Sequence, residues 1–250
     1  MNSCISCEEC LKICPVDAIS KEKQNRILRN KCVFCEKCVE ACPTGALELI
    51  GKRMTINEVL KEIEKDSPFY KMSGGGITVT GGEPLTQWKF VRALLKKVKN
   101  RNVNTAIETS GYVKWEHFEE IIPYIDLILY DVKLIDSERH EKYCGVKNET
   151  ILRNLKKLDS LGQPPIIIRN IIVPGYTDTK KEIDGKIDLL KTLKSIVRID
   201  LIPYHRFGIT KYRKLGIEDN QNKLNPPKDK SLLNILREFE YAGLPAQIGG

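Results

Sequence analysis

The chain contains no run of eighteen apolar residues, and this absence excludes a membrane-spanning helix of ordinary length. The first ten residues, MNSCISCEEC, show no basic segment followed by an apolar one, so the sequence predicts no secretion signal. The glycines near residue 80 precede no Lys-Ser or Lys-Thr pair and lack the Gly-x-Gly-x-x-Gly spacing. A nucleotide-binding P-loop and a dinucleotide fingerprint are therefore both excluded, and we expect no membrane partner.

Aromatic residues are also scarce, at 7%, and this decides how the net charge of +8 is interpreted. A basic protein raises nucleic acid as a partner, but single strands are bound where aromatic side chains accompany the basic ones. The densest basic run, KEKQNRILRNK from Lys21 to Lys31, contains no aromatic residue. We therefore interpret the lysines as solvated surface and predict no nucleic-acid partner.

Cysteine is plentiful, and eight of the nine cysteines precede residue 43. They form two copies of the spacing Cys-x-x-Cys-x-x-Cys-x-x-x-Cys-Pro. In such a repeat, three closely spaced thiolates reach one cubane, and the cysteine beside the proline ligates the other cluster. The predicted ligands of two [4Fe-4S] clusters are Cys4, Cys7, Cys10 and Cys42 for the first, and Cys14, Cys32, Cys35 and Cys38 for the second.

Disulfides and zinc are the alternative uses of these cysteines. Disulfides need an oxidising compartment, which nothing in the sequence suggests, and zinc sites usually take their ligands as two pairs. The spacing favours clusters, and residues 1–52 resemble a bacterial two-cluster ferredoxin module that transfers electrons. Cys144 stands alone in EKYCGV and receives no role, because a lone cysteine is more often a packed side chain.

Residues 53–250 alternate between helical and strand-like segments. Ile- and Val-rich strands that alternate with amphipathic helices predict an α/β domain, with a parallel sheet covered by helices. The five predicted strands lie in ITVT, VNTAIETSG, LILYDVKL, PIIIRNIIVPG and VRIDLIPYH.

Polar residues gather at the carboxyl ends of these strands, where parallel sheets bind ligands. They are Gly81, Gly82, Glu83, Glu108, Thr109, Ser110, Asp131, Lys133, Arg169, Tyr204 and His205. Side chains alternate along a strand, so Asp131 and Lys133 share a face while Val132 points away. An Asp-x-Lys pair can be an internal salt bridge, and His205 can be a packed loop histidine. Together, five polar strand ends favour a zwitterionic ligand with an amino group, a carboxylate and a ribose.

Six segments resemble, in chain order, the glycyl radical enzyme activating enzymes of the radical S-adenosylmethionine superfamily. They are GGGITVTGGEPLTQ, AIETSGYV, LILYDVK, HEKYCGVKNETILRNLKKL, IIIRNIIVPGYTD and LIPYHRFGITKYRKLG. The resemblance implies a partial TIM-like (β/α) barrel that lacks the family's first strand. It also implies reductive cleavage of S-adenosylmethionine to a 5′-deoxyadenosyl radical, which takes a hydrogen atom from a glycine of a partner enzyme.

The resemblance further implies a set of cofactor contacts. They are Gly81, Gly82, Glu83, Glu108, Asp131, Val132, Lys133, Arg169 and His205. The Gly-Gly-Glu-Pro segment would bind the amino group of S-adenosylmethionine, with Thr80 where serine is more usual, and Asp131 and Lys133 would contact its methionine part and ribose. Glu108 stands where some members place an aspartate beside a monovalent cation, and Arg169 is a candidate contact of the partner's glycine loop.

The family's defining Cys-x-x-x-Cys-x-x-Cys motif is absent from the 250 residues. In one hypothesis, the sequence is an N-terminally truncated record of an activating enzyme, and a third [4Fe-4S] cluster is expected only in the full-length protein. In the other, the chain is a two-cluster electron carrier or an inactive S-adenosylmethionine-binding protein. The retained cofactor contacts favour the first hypothesis. In either, we expect no catalytic cysteine set and no adenosyl radical from these residues alone.

Partners and location follow from the same resemblance. It implies a glycyl radical enzyme as the protein substrate and a flavodoxin- or ferredoxin-like reductant. Exposed clusters and glycyl radicals are lost in oxygen, so we expect the cytoplasm of an anaerobic cell.

Overall fold

The structure, a computed structural model, describes residues 3–22, 26–215 and 224–249. These residues form two compact units, the first comprising residues up to Met54 with His205–Leu224, and the second comprising Thr55–Tyr204 with the residues from Asn225 onward. The sequence predicts an uninterrupted second domain from residue 53, whereas the segment after the fifth predicted strand groups with the cysteine-rich unit. No helix among the described residues is both long and apolar enough to cross a membrane.

The helices of the described residues mostly match the apolar periodicity. They are α1 (Glu9–Ile13), α2 (Lys37–Glu40), α3 (Ile56–Lys65), α4 (Ser67–Ser73), α5 (Trp88–Lys99), α6 (Trp115–Ile121), α7 (Ser137–Cys144), α8 (Glu149–Ser160), α9 (Lys180–Lys191), α10 (Ile209–Leu215) and α11 (Asp229–Tyr241). The apolar pattern did not predict α1, α2, α4, α7 or α10. These five are short, at four to eight residues, and short segments carry little periodic signal.

The first unit reproduces the cysteine repeat as a repeat of backbone conformation. Ser6 and Glu8 in the first copy, and Phe34 and Glu36 in the second, all have a left-handed backbone with φ between 53° and 64°. Each such residue costs about 1 kcal/mol outside glycine, so tertiary constraints must hold them. The effect is a tight loop that carries the first two cysteines of each copy, and the third, Cys10 or Cys38, lies in the first turn of α1 or α2.

The second unit is built on one parallel sheet, as the alternating pattern predicts. Its strands are β1 (Gly76–Val79), β2 (Asn104–Thr109), β3 (Leu127–Asp131), β4 (Ile166–Ile172), β5 (Ile196–Pro203) and β6 (Ala246–Ile248). Each strand pairs in parallel with the next one along the chain. The prediction of five strands is therefore wrong. The sixth strand has only three residues, AQI, which is too short for an alternating pattern to be seen.

The two faces of the sheet differ in burial. On the face that carries Ile107, Ile128, Tyr130 and Ile168, the strands pack against the helices and form the main apolar core. The opposite face carries the alternate residues, and along β2 and β3 these are only partly buried. The polar strand-end residues Glu108, Asp131 and Arg169 belong to this second face because they alternate with core residues.

Helix starts show where side chains overrule simple capping patterns. At α3, Thr55 Oγ1 accepts a hydrogen bond from the Glu58 N–H and Glu58 Oε2 accepts one from the Thr55 N–H, which together form a capping box. Asn148 precedes α8 but makes no capping bond with its side chain. Its amide instead donates to the carbonyls of Leu134 and Ile135, at 2.9 and 2.8 Å.

Gly111 tests how tightly the loop after β2 is packed. Its φ is +73°, and a Cβ there would lie 1.7 Å from the buried Tyr130 hydroxyl, which donates to the Ile151 carbonyl. We predict that Gly111→Ala lowers the free energy of unfolding by about 3 kcal/mol or more, since overpacking adds to the backbone cost. Urea unfolding followed by tryptophan fluorescence reports on this unit, because Trp88 and Trp115 both lie in it.

Gly243 offers a matched control for this substitution. Its φ of +77° is nearly the same, but no atom lies within 4 Å of the position of its Cβ. Gly243→Ala should therefore cost only the backbone term of about 1 kcal/mol. Equal losses in the two variants would contradict tight packing against Tyr130.

Candidate functional site

Four thiols of the first unit surround one cavity. Its lining residues are Cys4, Ile5, Cys7, Cys10, Arg26, Cys42, Thr44, Ala46 and Leu47. Its volume is about 360 Å³, including space open to solvent. The four cysteines are the predicted ligands of the first cluster, three from one copy of the repeat and one from the other. The cavity thus brings together this predicted set, in the crossed pattern typical of two-cluster modules.

Two members of the second predicted ligand set, one from each copy of the repeat, lie against the same apolar cluster: Cys14 and Cys38 both pack on Cys10, Ile19 and Leu47. Burial raises the pKa of the Cys38 thiol, and the thiols of Cys32, Cys35 and Cys14 raise it further. Cys14 Sγ also accepts a hydrogen bond from the Ala18 N–H at 3.1 Å. Among the described residues, no group of three or more His, Cys, Asp or Glu is arranged around a single metal ion.

In the second unit, the end of β2 holds the Glu83 carboxylate. Thr109 Oγ1 donates to its two oxygens at 2.8 and 3.0 Å, and the Ser110 N–H and hydroxyl donate at 2.9 and 2.7 Å. The chain reaches Glu83 through Gly81, whose φ of +141° favours glycine. Glu83 therefore ties the loop after β1 to the end of β2, a structural task that the sequence analysis missed.

Four charged side chains meet where β2 and β3 end, beside the middle of β4. The β3–β4 register pairs Asp131 with Arg169, and Arg169 forms an ion pair with Glu108. Lys133 Nζ lies 3.4 Å from Asp131 Oδ2. Glu108 thus already has a cationic partner, and its carboxylate is not a free ligand for a monovalent cation.

At Asp131, burial changes the pKa of the carboxyl group more than the neighbouring cations do. Loss of water raises the pKa of its carboxyl, whereas Lys133 and Arg169 lower it and Glu108 raises it, and the net direction is upward. The side chain is only 17% exposed, which explains why desolvation dominates. The result is a carboxylate held at an energetic cost, as is common where a protein prepares a charge for a ligand.

Two further predicted cofactor contacts, Val132 and His205, are not members of this charged group. The Val132 side chain is 1% exposed in the core, and its N–H donates to the Arg169 carbonyl at 3.0 Å, so its side chain is not available to a ligand. His205 belongs to the first unit, where its ring lies 4.4 Å from that of Phe207. The role of His205 at the cofactor stays a prediction.

Comparison with known proteins identifies the family. The Radical SAM superfamily profile matches residues 29–190, and the 4Fe-4S dicluster domain profile matches residues 3–47. The trans-4-hydroxy-L-proline dehydratase activating enzyme of Clostridioides difficile is 41% identical over 251 residues, which cover 99% of this chain and 82% of that protein. The chain belongs to the glycyl radical enzyme activating enzymes.

Further relatives agree with this membership. The choline trimethylamine-lyase activating enzyme of Oleidesulfovibrio alaskensis is 42% identical over 224 residues, covering 87% of this chain and 72% of that protein. A crystal structure of a domain of pyruvate-formate lyase-activating enzyme from Bacteroides vulgatus has a TM-score of 0.60 at 28% identity, covering 70% of this chain and 99% of that domain. The radical SAM fold and an iron–sulfur domain, indicated by the sequence motifs, are both confirmed.

Three buried polar side chains hold the loops that follow β2 and β3. Glu182, 1% exposed, accepts hydrogen bonds from the N–H groups of Ile135 and Asp136, directly after Lys133. Asn148 holds the carbonyls of the same loop, as described above. Asn154 donates to the carbonyls of Gly111 and Val113 in the loop after β2. The sequence analysis named none of these roles.

A sequence signal for Glu182 and Asn154 exists. Asn154 lies among Ile151, Leu155 and Leu158 on the buried stripe of α8, and Glu182 lies beside Ile183 on that of α9. A polar residue on an apolar helical stripe must find hydrogen-bond partners inside the protein. Lys186, one turn after Glu182, follows the same rule: burial lowers its pKa to about 8, and its amine donates to Asn170 Oδ1 at 2.6 Å.

Asp131→Asn should separate stability from binding. The folded-state pKa lies above the ordinary value of 3.8, so the ionised carboxylate costs stability at neutral pH, and this cost disappears as the pH falls below 3.8. We predict that the variant is at least as stable as the wild type at pH 8, that its advantage shrinks as the pH falls toward 3.8, and that it binds S-adenosylmethionine at least about tenfold more weakly. Urea unfolding and equilibrium dialysis measure the two effects.

Asp184→Asn is the control, because Asp184 is an exposed partner of Lys180 on α9. It should change the free energy of unfolding by less than about 0.5 kcal/mol and leave binding unchanged. A stability loss in Asp131→Asn at pH 8 would show that the ion pair outweighs burial.

Proposed function

We propose that this chain binds S-adenosylmethionine at the carboxyl edge of its sheet and two [4Fe-4S] clusters in its cysteine-rich unit. We propose that both sites serve the activation of a glycyl radical enzyme, in which the cofactor is cleaved at a further cluster whose ligands these 250 residues do not supply. The observation that supports the cofactor site is the meeting of charged groups from adjacent strands. Glu83, Asp131 and Lys133 lie at the ends of β1 and β3, where the family motifs predict contacts. The cavity bounded by four cysteines supports the first cluster.

The residues fit the charges of S-adenosylmethionine. The ligand carries an amino group, a carboxylate and a sulfonium, so it has a net charge of about +1. Glu83, Glu108 and Asp131 supply three negative charges, and Lys133 and Arg169 supply two positive ones. The five side chains therefore sum to −1, and they offer acceptors for the ammonium and donors for the carboxylate.

Each group has a distinct task in this site. Glu83, fixed by Thr109 and Ser110, presents an immobile carboxylate whose geometry does not have to be created on binding. Asp131 and Lys133 gain partners from the ligand, which offsets the cost of keeping Asp131 partly desolvated. When bound and reduced by one electron, the cofactor supplies radical chemistry, while the protein positions it and excludes water.

The third cluster of the family does not fit these residues. The eight clustered cysteines are taken by the two proposed clusters, and Cys144 alone cannot supply three ligands. We therefore derive no cleavage step for these 250 residues. This is the specific observation that favours the second candidate function, a two-cluster electron-transfer or S-adenosylmethionine-binding protein that does not cleave the cofactor.

The partners follow from the relatives and the surface. The relatives activate enzymes such as trans-4-hydroxy-L-proline dehydratase and choline trimethylamine-lyase, and we propose a glycyl radical enzyme as the protein substrate here. We propose a flavodoxin- or ferredoxin-like reductant for the clusters. Ile5, Val33 and Phe34 are each at least 60% exposed beside the cluster cysteines, and such apolar surface suits a docked electron carrier. We place the protein in the anaerobic cytoplasm.

Anaerobic reconstitution with iron and sulfide tests the proposal. We expect about eight irons and eight sulfides per chain, because each cubane holds four of each. S-adenosylmethionine should bind, and reduction with dithionite should release no 5′-deoxyadenosine. About twelve irons together with cofactor cleavage would overturn the cluster assignment.

Lys133→Ala gives the same experiment a residue-level test. It should weaken binding at least about tenfold, which corresponds to about 1.4 kcal/mol, because the ligand carboxylate loses its partner. Lys147→Ala is the matched control, since Lys147 is an exposed lysine that pairs with Glu138. Failure of the wild type to bind S-adenosylmethionine, with both clusters present, would leave electron transfer as the function.

A further inference from the structure

Arg26 is the buried cation of the cysteine-rich unit. It is only 5% exposed, and its guanidinium donates to Cys4 Sγ at 3.6 Å and to Cys10 Sγ at 3.5 Å. It also lines the cavity that the first four cysteines surround. Arginine is almost never buried without a compensating negative charge. Neutral thiols would not compensate it, whereas the thiolates of a bound cluster would.

Backbone hydrogen bonds anchor the residue that carries this guanidinium. The Arg26 carbonyl accepts a hydrogen bond from the Ser20 N–H at 2.8 Å, and the next residue, Ile27, forms an antiparallel bridge with Ile19. Ile19 is a buried core residue of this unit. The backbone of Arg26 is therefore held against the core of the cysteine-rich unit.

The second ligand set lacks an equivalent contact. Within residues 3–22, 26–215 and 224–249, hydrogen bonds from an arginine or lysine to sulfur occur at Cys4 and Cys10, which both belong to the first set. Cys14 of the second set accepts from a neutral backbone N–H. Arg29, in the same basic run as Arg26, is exposed and donates to the Leu215 carbonyl instead. The two predicted clusters thus differ in the charge beside them.

We propose that Arg26 makes the two clusters redox-inequivalent, so that the cluster on Cys4, Cys7, Cys10 and Cys42 has the higher reduction potential. This inference rests on the proposed binding of two clusters. Each reduction adds one electron from an external low-potential donor, and no covalent bond forms or breaks. The added electron makes a cluster more negative, so a buried cation that donates to its sulfurs stabilises the reduced state.

This difference in reduction potential gives electron transfer between the two clusters a preferred direction. An electron delivered to either cluster settles on the first one, because that cluster is the better acceptor. The second cluster then serves as the transit site for electrons in this unit. The basic run that contains Arg26, assigned above to solvated surface, therefore includes one residue that is neither solvated nor on the surface.

The test is an anaerobic redox titration of the reconstituted full chain, followed by electron paramagnetic resonance. In the wild type we expect two separate one-electron steps. Arg26→Gln should lower the higher of the two reduction potentials by at least about 59 mV, which is a tenfold decrease in the one-electron reduction equilibrium constant. The lower reduction potential should not change. Arg26→Lys keeps the charge but loses the two-pronged contact, so it should give a smaller shift in the same direction.

Arg29→Gln is the matched control and should change neither potential, because Arg29 contacts no cysteine. Arg26→Gln with full iron content and two unchanged potentials would overturn the role of Arg26 while leaving the two clusters intact. A shift confined to the lower potential would also overturn it. If Arg26→Gln fails to take up iron, the wild-type titration decides, and two clusters that titrate at one potential overturn the inference.

The iron content of the wild-type chain distinguishes a failure of the Arg26 inference from a failure of the proposed function. A wild-type chain with about eight irons that shows two steps supports the proposed clusters, whatever the Arg26 variants do. A wild-type chain that takes up only one cluster overturns the proposed function itself.

Discussion

The proposed cofactor site depends on one constraint, the parallel register between β3 and β4. It places Asp131 opposite Arg169, while Tyr130 and Ile168, one residue earlier on each strand, pair in the core. Side chains alternate with a period of two, so a slip of one residue would put charges into the core and Tyr130 on the open face. The large apolar burial on the helix side thus also fixes where the charged groups lie.

Holding charges at that edge costs stability, and the surrounding structure offsets the cost. Asp131 is partly desolvated, and its raised pKa shows that Lys133 and Arg169 do not fully compensate the loss of water. The loop that follows Lys133 is held by the carboxylate of Glu182 and the amide of Asn148. These buried side chains reduce the freedom of the loop before any ligand arrives, so less ordering remains to be done on binding.

The sequence alone predicted the features that depend on local chemistry. Cysteine spacing predicted both ligand sets because cluster geometry requires those intervals, and strand alternation identified which residues share a face. It did not reveal β6, which is three residues long, or the grouping of His205 with the cysteine-rich unit, since both depend on contacts distant along the chain. Arg26 was interpreted as surface because it lies in a basic run that contains no aromatic residue. Its burial depends on a contact distant along the chain, the antiparallel bridge between Ile27 and the buried Ile19.

The two units apply one electrostatic rule with opposite signs. In the cysteine-rich unit, the buried Arg26 donates hydrogen bonds to Cys4 and Cys10. The proposed cluster on these cysteines would be negative overall, and the protein supplies the positive charge beside it. At the sheet edge, three carboxylates and two cations leave one negative charge, and the proposed ligand supplies the positive one. In both places the protein is left electrostatically incomplete until the bound group is present, because an uncompensated charge away from water is costly. The sign of the uncompensated charge at each site is therefore opposite to the net charge of the group that we propose binds there.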